Sequence, residues 1–180
     1  MKLVILDRDG VINQDSDDYI KSIAEWEPIS GSLEAIARLS NAGIMVAVAT
    51  NQSALARGLI DLEGLNAIHQ TIRQRLSAVG GRVEVFAFCQ HGPDDHCDCR
   101  KPLSGLLHEI RYRTGSSLRG TPVIGDSARD LEAALQVGAR PILVRTGKGR
   151  QTEQSLPANL MHVPVFDDLA SAVDSLLDKP

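Results

Sequence analysis

Four aspartates occur in two pairs that could hold a divalent cation between them. Asp7 and Asp9 flank a single arginine directly after an apolar run, and Asp126 precedes Asp130 by about one helical turn. Carboxylates that meet without a counter-ion repel one another, and a ligand set of oxygen atoms favours Mg²⁺ over softer metals. An Asp-x-Asp pair alone is equally typical of a capped turn. The two pairs together predict a magnesium site, provided that the fold brings them to one place.

Two other short runs carry groups that bind phosphate. Hydroxyl and amide side chains follow a second apolar run, and an arginine and a lysine precede Pro102, which stiffens the connection. Such donors, with backbone N–H groups near a helix start, hold phosphate oxygens well, although an ordinary helix N-cap uses the same residue types. The candidate phosphate-binding residues are Thr50, Asn51, Gln52, Ser53, Arg100 and Lys101.

The segment 89–99 contains all three cysteines of the chain together with two histidines. An odd, clustered set of cysteines suits a metal site better than a disulfide framework. A Cys₃His set leaves no open position, so we predict a tetrahedral, structural Zn²⁺. His96 competes with His91, but its adjacency to a ligating cysteine makes joint ligation awkward; free thiols in a polar loop are the alternative. The predicted ligands are Cys89, His91, Cys97 and Cys99.

Length and composition indicate one compact domain over residues 1–180. The chain is 43% hydrophobic and 23% charged, which is ordinary for a globular protein. Its net charge is −4 and no basic run exceeds two residues, so the charge pattern of a nucleic-acid binder is missing. The first apolar run stops at Asp7, too early for a signal peptide, and no run reaches the ~20 residues of a membrane span. We therefore expect a cytoplasmic protein without a membrane partner; its oligomeric state stays open, a monomer included.

Short aliphatic runs alternate with longer segments of helical periodicity along the chain. This alternation predicts a doubly wound α/β domain with a mostly parallel sheet. The predicted strands are 3–6, 44–49, 83–88, 122–124 and 141–144, with an optional sixth at 162–165. The predicted helices are 32–40, a segment from 62 to before Gly80 that Asp61 caps, 106–112, 129–137 and 168–177. Residues 147–159 form the loosest stretch.

The candidate chemical groups fall where predicted strands end. Asp7, Thr50, Cys89 and Asp126 each follow a strand at its carboxyl end. In doubly wound sheets, ligands bind beyond these ends. The sequence therefore predicts that the acidic pairs, the polar run and the cysteine segment share one edge of the sheet.

The order of these motifs resembles the haloacid dehalogenase superfamily of phosphohydrolases. The four short motifs of that superfamily match 7–10 (Asp-Arg-Asp-Gly), Thr50-Asn51, Lys101 and 125–130, and the match spans most of the chain. The resemblance implies a Rossmann-like fold. No stretch between the motifs is long enough for a large cap domain, so we expect the loop after Asp9 and the cysteine segment to enclose a small substrate.

The resemblance implies the chemistry of the acidic residues. Asp7 would be the nucleophile that forms an aspartyl-phosphate, and Asp9 would act first as general acid and then as general base. Mg²⁺ would be bound by Asp7, by the backbone carbonyl of Asp9 and by Asp126. A carboxylate needs such a cation because it must approach an anionic phosphate.

The resemblance also implies three supporting roles. Thr50 would hold the transferring phosphoryl group, and Lys101 would neutralise the nucleophile and the phosphate oxygens. Asp130 would support this arrangement. A zinc ion in the segment 89–99 would fix the loop that leads directly into Arg100 and Lys101, and so would position both cations.

The string Cys-x-His…Cys-x-Cys-Arg-Lys-Pro resembles the heptose-bisphosphate and histidinol-phosphate phosphatases within that superfamily. The implied activity is removal of the C7 phosphate of D-glycero-D-manno-heptose 1,7-bisphosphate, in the synthesis of activated heptose for lipopolysaccharide core. Histidinol phosphate is the alternative substrate, since its ammonium and imidazole groups would also suit an acidic loop. The preferred anomer stays open.

A heptose bisphosphate keeps a second phosphate and several hydroxyl groups that need partners. The candidate partners are Asn13, Asp15 and Asp18 for the hydroxyl groups and Arg57 and Arg100 for the phosphate, although Arg57 is equally typical of a solvated helix start. The segment 145–149 also resembles the heptose family. Ser127 departs from it, because many heptose phosphatases have lysine there.

Other classes of protein share part of this pattern. A phospho-accepting receiver domain also has a doubly wound sheet and an acidic cluster, but its nucleophile lies on a middle strand and it has no reason for the cysteine segment. A zinc-dependent interaction module is a further non-enzymatic reading, and turnover of a phosphomonoester separates both from an enzyme. A phosphomutase usually needs a cap to exclude water.

Overall fold

The computed structural model describes residues 1–178, and its centre is a parallel sheet. The strands are β1 (Leu3–Leu6), β2 (Met45–Asn51), β3 (Val85–Cys89), β4 (Pro122–Gly125), β5 (Arg140–Val144) and β6 (Val165–Phe166). Over these residues the order across the sheet is β3-β2-β1-β4-β5-β6, and every neighbouring pair is parallel. The doubly wound fold predicted from the sequence is confirmed.

The strand order reverses between β1 and β4, which lie side by side at the middle of the sheet. Leu6 at the end of β1 pairs with Val48 of β2 on one side and with Ile124 of β4 on the other. Such a switch point leaves a crevice beyond the carboxyl ends of the strands. Asp7 and Asp126 follow β1 and β4 there, so the topology itself brings the two acidic motifs together.

Helices cover both faces of the sheet. Over residues 1–178 they are α1 (Ser32–Asn41), α2 (Leu62–Ala78), α3 (Gly105–Thr114), α4 (Ala128–Gln136), α5 (Gly149–Gln154) and α6 (Leu169–Leu177). The apolar stripes of α1, α2 and α6 pack with Val4 and Leu6 on one face, and those of α3 and α4 pack with Leu3 and Ile5 on the other. Because both faces are covered, the strands are continuous apolar runs. Within the described residues, no helix combines the length and the apolar character needed to cross a bilayer.

Most predicted elements are present with ends shifted by one or two residues. Asp61 is the predicted N-cap of α2, and its carboxylate accepts a hydrogen bond from Gly64 N at 2.7 Å. A series of turns separates the end of β2 from α2 at Leu62, so the polar run after Thr50 does not lie at a helix start. The optional last strand lies at Val165–Phe166, later than predicted.

The prediction that residues 147–159 form the loosest stretch is wrong. They contain the short helix α5, whose Thr152 Oγ1 donates to the carbonyl oxygen of Asp126 at 2.8 Å. The polar residues of this helix form no apolar stripe, so periodicity gave no signal for it. Contacts of α5 with the acidic edge of the sheet help to hold the segment in place, and Leu156 after the helix packs against the small apolar cluster of Leu131, Leu143 and Leu160.

Burial predicts how strongly the fold depends on α1. Ile36 is fully buried in the core, so we expect Ile36→Ala to lower the free energy of unfolding by about 2–5 kcal/mol through lost contacts and a cavity. Leu135 on α4 is 40% exposed, and Leu135→Ala should change the same quantity by less than about 1 kcal/mol. Urea unfolding followed by circular dichroism measures both. Equal losses in the two variants would contradict this assignment of the core.

Candidate active site

Asp7 and Lys101 form the centre of the site. Lys101 lies on the connection between β3 and α3, and its Nζ is 3.0 Å from Asp7 Oδ1 and 2.6 Å from Asp130 Oδ1. The ammonium group also donates to the carbonyl oxygen of Ala49 at 2.7 Å. Although burial lowers the pKa of an ammonium group, Asp130 and Asp7 raise the pKa of Lys101 above its usual value. A buried ammonium group is therefore in contact with the candidate nucleophile.

The side chain of Asn51 positions Lys101 by binding the backbone of the lysine. Asn51 Nδ2 donates to the carbonyl oxygen of Lys101, and Asn51 Oδ1 accepts from the N–H of Lys101, both at 3.0 Å. The two hydrogen bonds join the end of β2 to the connection after β3. Asn51 lines the cleft as expected of a substrate-binding residue, but its amide group is already engaged with the lysine backbone.

Asp7, Asp126 and Asp130 each bring one carboxylate oxygen to within 4.8 Å of the others. Burial, with the charges of Asp130 and Asp126, raises the pKa of Asp7 well above its usual value, although Lys101 opposes that shift. Burial and Asp130 likewise raise the pKa of Asp126 to about 7. A cation among them would favour the ionised forms, and three hard oxygen donors fit Mg²⁺.

Asp130 is already engaged by other groups. Besides its ion pair with Lys101, its Oδ2 accepts hydrogen bonds from Ser127 N at 3.0 Å and from Ser127 Oγ at 2.6 Å. The bond from Ser127 N belongs to the capping box at the start of α4. Asp7 and Asp126 are therefore the carboxylates with capacity left for a cation, and the position of Asp130 suits a supporting role.

Two loops hold Asp126 in place. Lys148 N donates to Asp126 Oδ2 at 2.8 Å. Gly10, with φ +79°, and Gly147 lie so close that a β-carbon at either position would overlap the Asp126 carboxylate. The glycine after the first acidic motif is thus required by a close approach of the backbone as well as by its backbone angle.

Asp9 accepts hydrogen bonds from three side chains. Arg8, only 1% exposed, donates from Nε and Nη2 at 2.8–3.1 Å, and the amides of Asn13 and Gln52 each donate at 2.9 Å. Burial acts in the opposite direction, but Arg8 and these hydrogen bonds lower the pKa of Asp9. In this arrangement Asp9 is ionised, the form that a general base needs.

A cleft of about 250 Å³ opens over these groups at the switch point of the sheet. Asp7, Asp9 and Asp126 line it, together with the predicted substrate-binding residues Asp15, Asn51, Gln52, Ser53, Arg100 and Lys101. Residues from the loop after Asp9 form one wall, and Arg100 lies on the segment that leaves the cysteine loop. The loop after Asp9 thus borders the cleft, whereas the cysteine segment 89–99 supplies no lining residue and meets the cleft through Arg100, which follows it.

Four predicted contact residues do not line this cleft. Asn13 is fully buried, and its amide donates to Asp9 and to the carbonyl oxygen of Gln14. Thr50 is also fully buried beneath Gln52, whose Nε2 donates to Thr50 Oγ1 at 2.9 Å. Asp18 and Arg57 are exposed. The Cζ atom of Arg57 lies 5.8 Å from the centre of the Tyr19 ring.

Among the cleft-lining residues that the sequence analysis did not name as site residues are Arg8, Tyr19, Arg129 and Lys148. An arginine directly beside an aspartate of a catalytic motif is the signal that could have found Arg8 and Arg129. Lys148 lies in the segment 145–149, which was identified without a role. Its Nζ is 3.2 Å from Asp15 and 3.3 Å from Asp17, so it joins that segment to the loop after Asp9.

The four predicted zinc ligands converge. Cys89, His91, Cys97 and Cys99 each bring one ligand atom to within 4.8 Å of the others. Neighbouring donor atoms are 3.1–3.7 Å apart, and His91 presents Nδ1. Sulfur atoms about 2.3 Å from a central Zn²⁺ lie about 3.8 Å apart in a tetrahedron, so the donor set fits that ion. His96 is exposed and is not part of the cluster.

The cysteine cluster is joined to the catalytic centre by a short chain segment. Cys99 is two residues before Lys101, and Arg100 Nη1 donates to the carbonyl oxygen of His91 at 3.1 Å. Gly105 N, at the start of α3, donates to the carbonyl oxygen of Asp98 at 3.1 Å. Fixing the cluster would therefore also fix Arg100 and Lys101.

Two family models match the chain. The model described as HAD-hydrolase-like matches residues 98–172, and the one described as polynucleotide kinase 3 phosphatase matches residues 2–134. A curated D-glycero-beta-D-manno-heptose-1,7-bisphosphate 7-phosphatase from Pseudomonas aeruginosa is 54% identical over 176 residues, which are 97% of each chain.

Solved structures of similar proteins share the whole fold. The D,D-heptose 1,7-bisphosphate phosphatase of Bordetella bronchiseptica, complexed with magnesium and phosphate, has a TM-score of 0.95 and 51% identity over 100% of both chains. The enzyme of that name from Burkholderia thailandensis has a TM-score of 0.77 and 42% identity over 99% of this chain and 100% of its own. With such identity over nearly its full length, the chain belongs to the D-glycero-beta-D-manno-heptose-1,7-bisphosphate 7-phosphatase family of haloacid dehalogenase-like hydrolases.

Proposed function

We propose that this phosphatase removes the C7 phosphate of D-glycero-D-manno-heptose 1,7-bisphosphate through an aspartyl-phosphate on Asp7, in the synthesis of activated heptose. The observation that carries the mechanism is the contact of Asp7 with the buried ammonium of Lys101, beside Asp126 and at the base of a cleft. The relatives from P. aeruginosa and B. bronchiseptica, 54% and 51% identical, support the substrate.

The first step transfers the phosphoryl group to Asp7. A carboxylate oxygen of Asp7 attacks phosphorus, the bond between phosphorus and the C7 oxygen breaks, and Asp9 gives its proton to the leaving oxygen. Lys101 neutralises part of the charge of Asp7 and of the phosphate oxygens. Mg²⁺, held by Asp7, by the backbone carbonyl of Asp9 and by Asp126, would supply further positive charge; the magnesium in the B. bronchiseptica complex supports this ion.

The second step requires Asp9 in its other protonation state. Water attacks the aspartyl-phosphate while Asp9 accepts its proton, which frees phosphate and restores Asp7. The hydrogen bonds from Arg8, Asn13 and Gln52 support the ionised Asp9 of this step. The first step needs a protonated Asp9. Because these hydrogen bonds favour the ionised form, substrate binding has to break some of them.

Gln52 is the member of that set that a substrate can displace. It lines the cleft and donates to both Asp9 and Thr50. A shift of its side chain would release Asp9 and would also uncover Thr50 Oγ1 for the transferring phosphoryl group. The proposed role of Thr50 therefore depends on a movement of Gln52.

A structural Zn²⁺ bound by Cys89, His91, Cys97 and Cys99 is part of this proposal. The convergence of three sulfur atoms and one imidazole nitrogen supports it. Its contribution would be to hold Arg100 and Lys101 in position, since the loop that carries the ligands runs directly into them.

Histidinol phosphate is the second candidate substrate. Asp15 and Asp17 place acidic groups beside the cleft, where an ammonium group would find partners. Both carboxylates already pair with Lys148, however, which favours the heptose bisphosphate. A cytoplasmic location and the lack of nucleic-acid and membrane partners stay predictions, and the net charge of −4 supports the absence of polyanion binding.

Substrate preference is tested by phosphate release with Mg²⁺ from both anomers of heptose 1,7-bisphosphate and from histidinol phosphate in parallel. We expect the highest kcat/KM for one heptose bisphosphate anomer, because the cleft holds cations beyond those at Asp7. A preference for histidinol phosphate would overturn the substrate but not the aspartyl-phosphate chemistry.

Asp7→Asn tests the nucleophile. The amide cannot attack phosphorus, so we expect kcat to fall by roughly 10⁴-fold or more and phosphoryl-enzyme to disappear from acid-quenched samples analysed by mass spectrometry. Asp178→Asn makes the same chemical change after α6, away from the cleft, and should retain wild-type turnover. Activity of Asp7→Asn within tenfold of wild type would refute the covalent mechanism.

His91→Ala and His96→Ala form a matched pair that tests the zinc site. We expect about one zinc per chain by elemental analysis in the wild type and in His96→Ala. His91→Ala should lose zinc, melt at a lower temperature and turn over more slowly, since a ligand of the cluster is missing. Wild-type zinc content in His91→Ala, or full activity after removal of zinc, would contradict the proposed role of the ion.

A further inference from the structure

His69 is a buried, titratable residue for which the mechanism above has no use. It lies on α2, and the other buried residues of this helix are all apolar: Leu65, Ile68, Ile72 and Leu76. Its ring stacks on that of Phe86 in β3, with the ring centres 4.4 Å apart and the planes inclined by 20°. A buried polar ring lowers stability unless its nitrogen atoms are hydrogen-bonded. The place of His69 in the core therefore needs an explanation.

The nitrogen atoms His69 Nε2 and Arg8 Nη1 are both buried without a hydrogen-bond partner among residues 1–178. Their chemistry is complementary, because a guanidinium only donates hydrogen bonds and the unprotonated nitrogen of a neutral imidazole accepts them. Burial, together with the positive charge of Arg8, lowers the pKa of His69 to about 3, so the imidazole is neutral at pH 7. An acceptor is thus available for the free edge of the arginine.

The sheet places Arg8 on the face that α2 covers. Side chains alternate between the two faces along a strand, and Val4 and Leu6 of β1 belong to the same apolar cluster as Ile68 of α2. Arg8 is the next residue in this alternation, and it is only 1% exposed. The effect of its charge on the pKa of His69 agrees with this placement. The two orphan nitrogen atoms therefore lie on the same side of the sheet.

The guanidinium of Arg8 is fixed along one edge by Asp9. Its Nε and Nη2 atoms donate to the Asp9 carboxylate at 2.8–3.1 Å, which leaves Nη1 at the opposite edge. A group that binds Nη1 fixes the orientation of the guanidinium plane. Because that plane directs the hydrogen bonds to Asp9, such a group also fixes the direction of the carboxylate that transfers protons in both steps.

We propose that His69 is a positioning residue for Arg8 and Asp9. Its Nε2 accepts a hydrogen bond that originates at Arg8 Nη1, either directly after a small shift of the side chains or through one buried water, and so holds the guanidinium against Asp9. A water between a buried donor and a buried acceptor is a common way to satisfy both. The inference rests on the proposed phosphatase function and extends the support of its general acid and base to α2.

Asn13 Oδ1 is a competing acceptor for Arg8, since it is also buried without a partner among residues 1–178. Trp26 Nε1 is in turn a second buried donor without a partner there. Asn13 forms a bridge with Pro28, two residues after this tryptophan, so the indole N–H lies on the segment that pairs with Asn13. Two donors and two acceptors are then satisfied when Trp26 is assigned to Asn13 and Arg8 to His69.

The test compares His69→Leu, which removes the acceptor, with His69→Gln, whose carbonyl oxygen can still accept. With Mg²⁺ and heptose 1,7-bisphosphate, we expect His69→Leu to lower kcat about 10- to 100-fold, because Asp9 loses its fixed orientation. KM should change less than about twofold, since the cleft itself keeps its lining. His69→Gln should restore most of kcat. The matched control is Ile72→Leu, a volume-conserving change in the same buried stripe of α2, which should retain wild-type kcat.

The ¹⁵N NMR spectrum of the imidazole tests the same contact in the wild-type enzyme, without any variant that has to fold. We expect His69 to be neutral at pH 7, with its proton on Nδ1 and with Nε2 unprotonated. A proton on Nε2 would refute the inference, as would wild-type kcat in His69→Leu or equal losses of kcat in the leucine and glutamine variants. Turnover by the wild type in the same assay separates each of these outcomes from a failure of the proposed function.

Discussion

The ammonium group of Lys101 lies between two carboxylates at the carboxyl edge of the sheet, and the rest of the site depends on this contact. Asp7 and Asp130 belong to different motifs, and without the lysine their charges would repel one another in a buried setting. Removing one partner of such a buried pair costs about 3–5 kcal/mol, because the remaining charge is left uncompensated. The lysine is therefore both a structural counter-ion and the group nearest to the candidate nucleophile.

Several weaker features keep that lysine in position. Asn51 fixes its backbone through two hydrogen bonds, and the capping box of α4 orients Asp130 through Ser127. The cysteine cluster lies only two residues away from Lys101 along the chain. A loop between a strand and a helix would otherwise be among the more mobile parts of the fold, so this connection is stabilised from three directions at the place where a small shift would alter the chemistry.

The sequence was sufficient for the fold and for the residues whose position follows from strand ends. Asp7 and Asp126 follow parallel strands that end at the same edge of the sheet, and the four predicted zinc ligands are close in sequence. The sequence does not show in which direction a polar side chain points. Asn13 and Thr50 have suitable polar groups but face inward, because Asp9 and Gln52 take up their hydrogen-bonding capacity. Polar type and spacing cannot distinguish a group that contacts substrate from one that supports its neighbour.

The helix α5 shows a second limit of the same kind. It is short, polar and without an apolar stripe, yet Lys148 N and Thr152 Oγ1 bind the carboxylate and the carbonyl oxygen of Asp126. These contacts fix Asp126, which follows β4. The two segments are far apart along the chain, so only the three-dimensional structure shows that they meet.

The charges of the site divide into two groups with different requirements. Lys101 and Arg8 are buried and paired before any substrate arrives, so their positions do not change when the reaction begins, which is the preorganisation that stabilises developing charge. Arg100 and Arg129 line the same cleft and make no ion pair with the described residues 1–178. Arg100 and Lys101 are consecutive residues on the connection between β3 and α3, so the same segment holds a paired cation and an unpaired one.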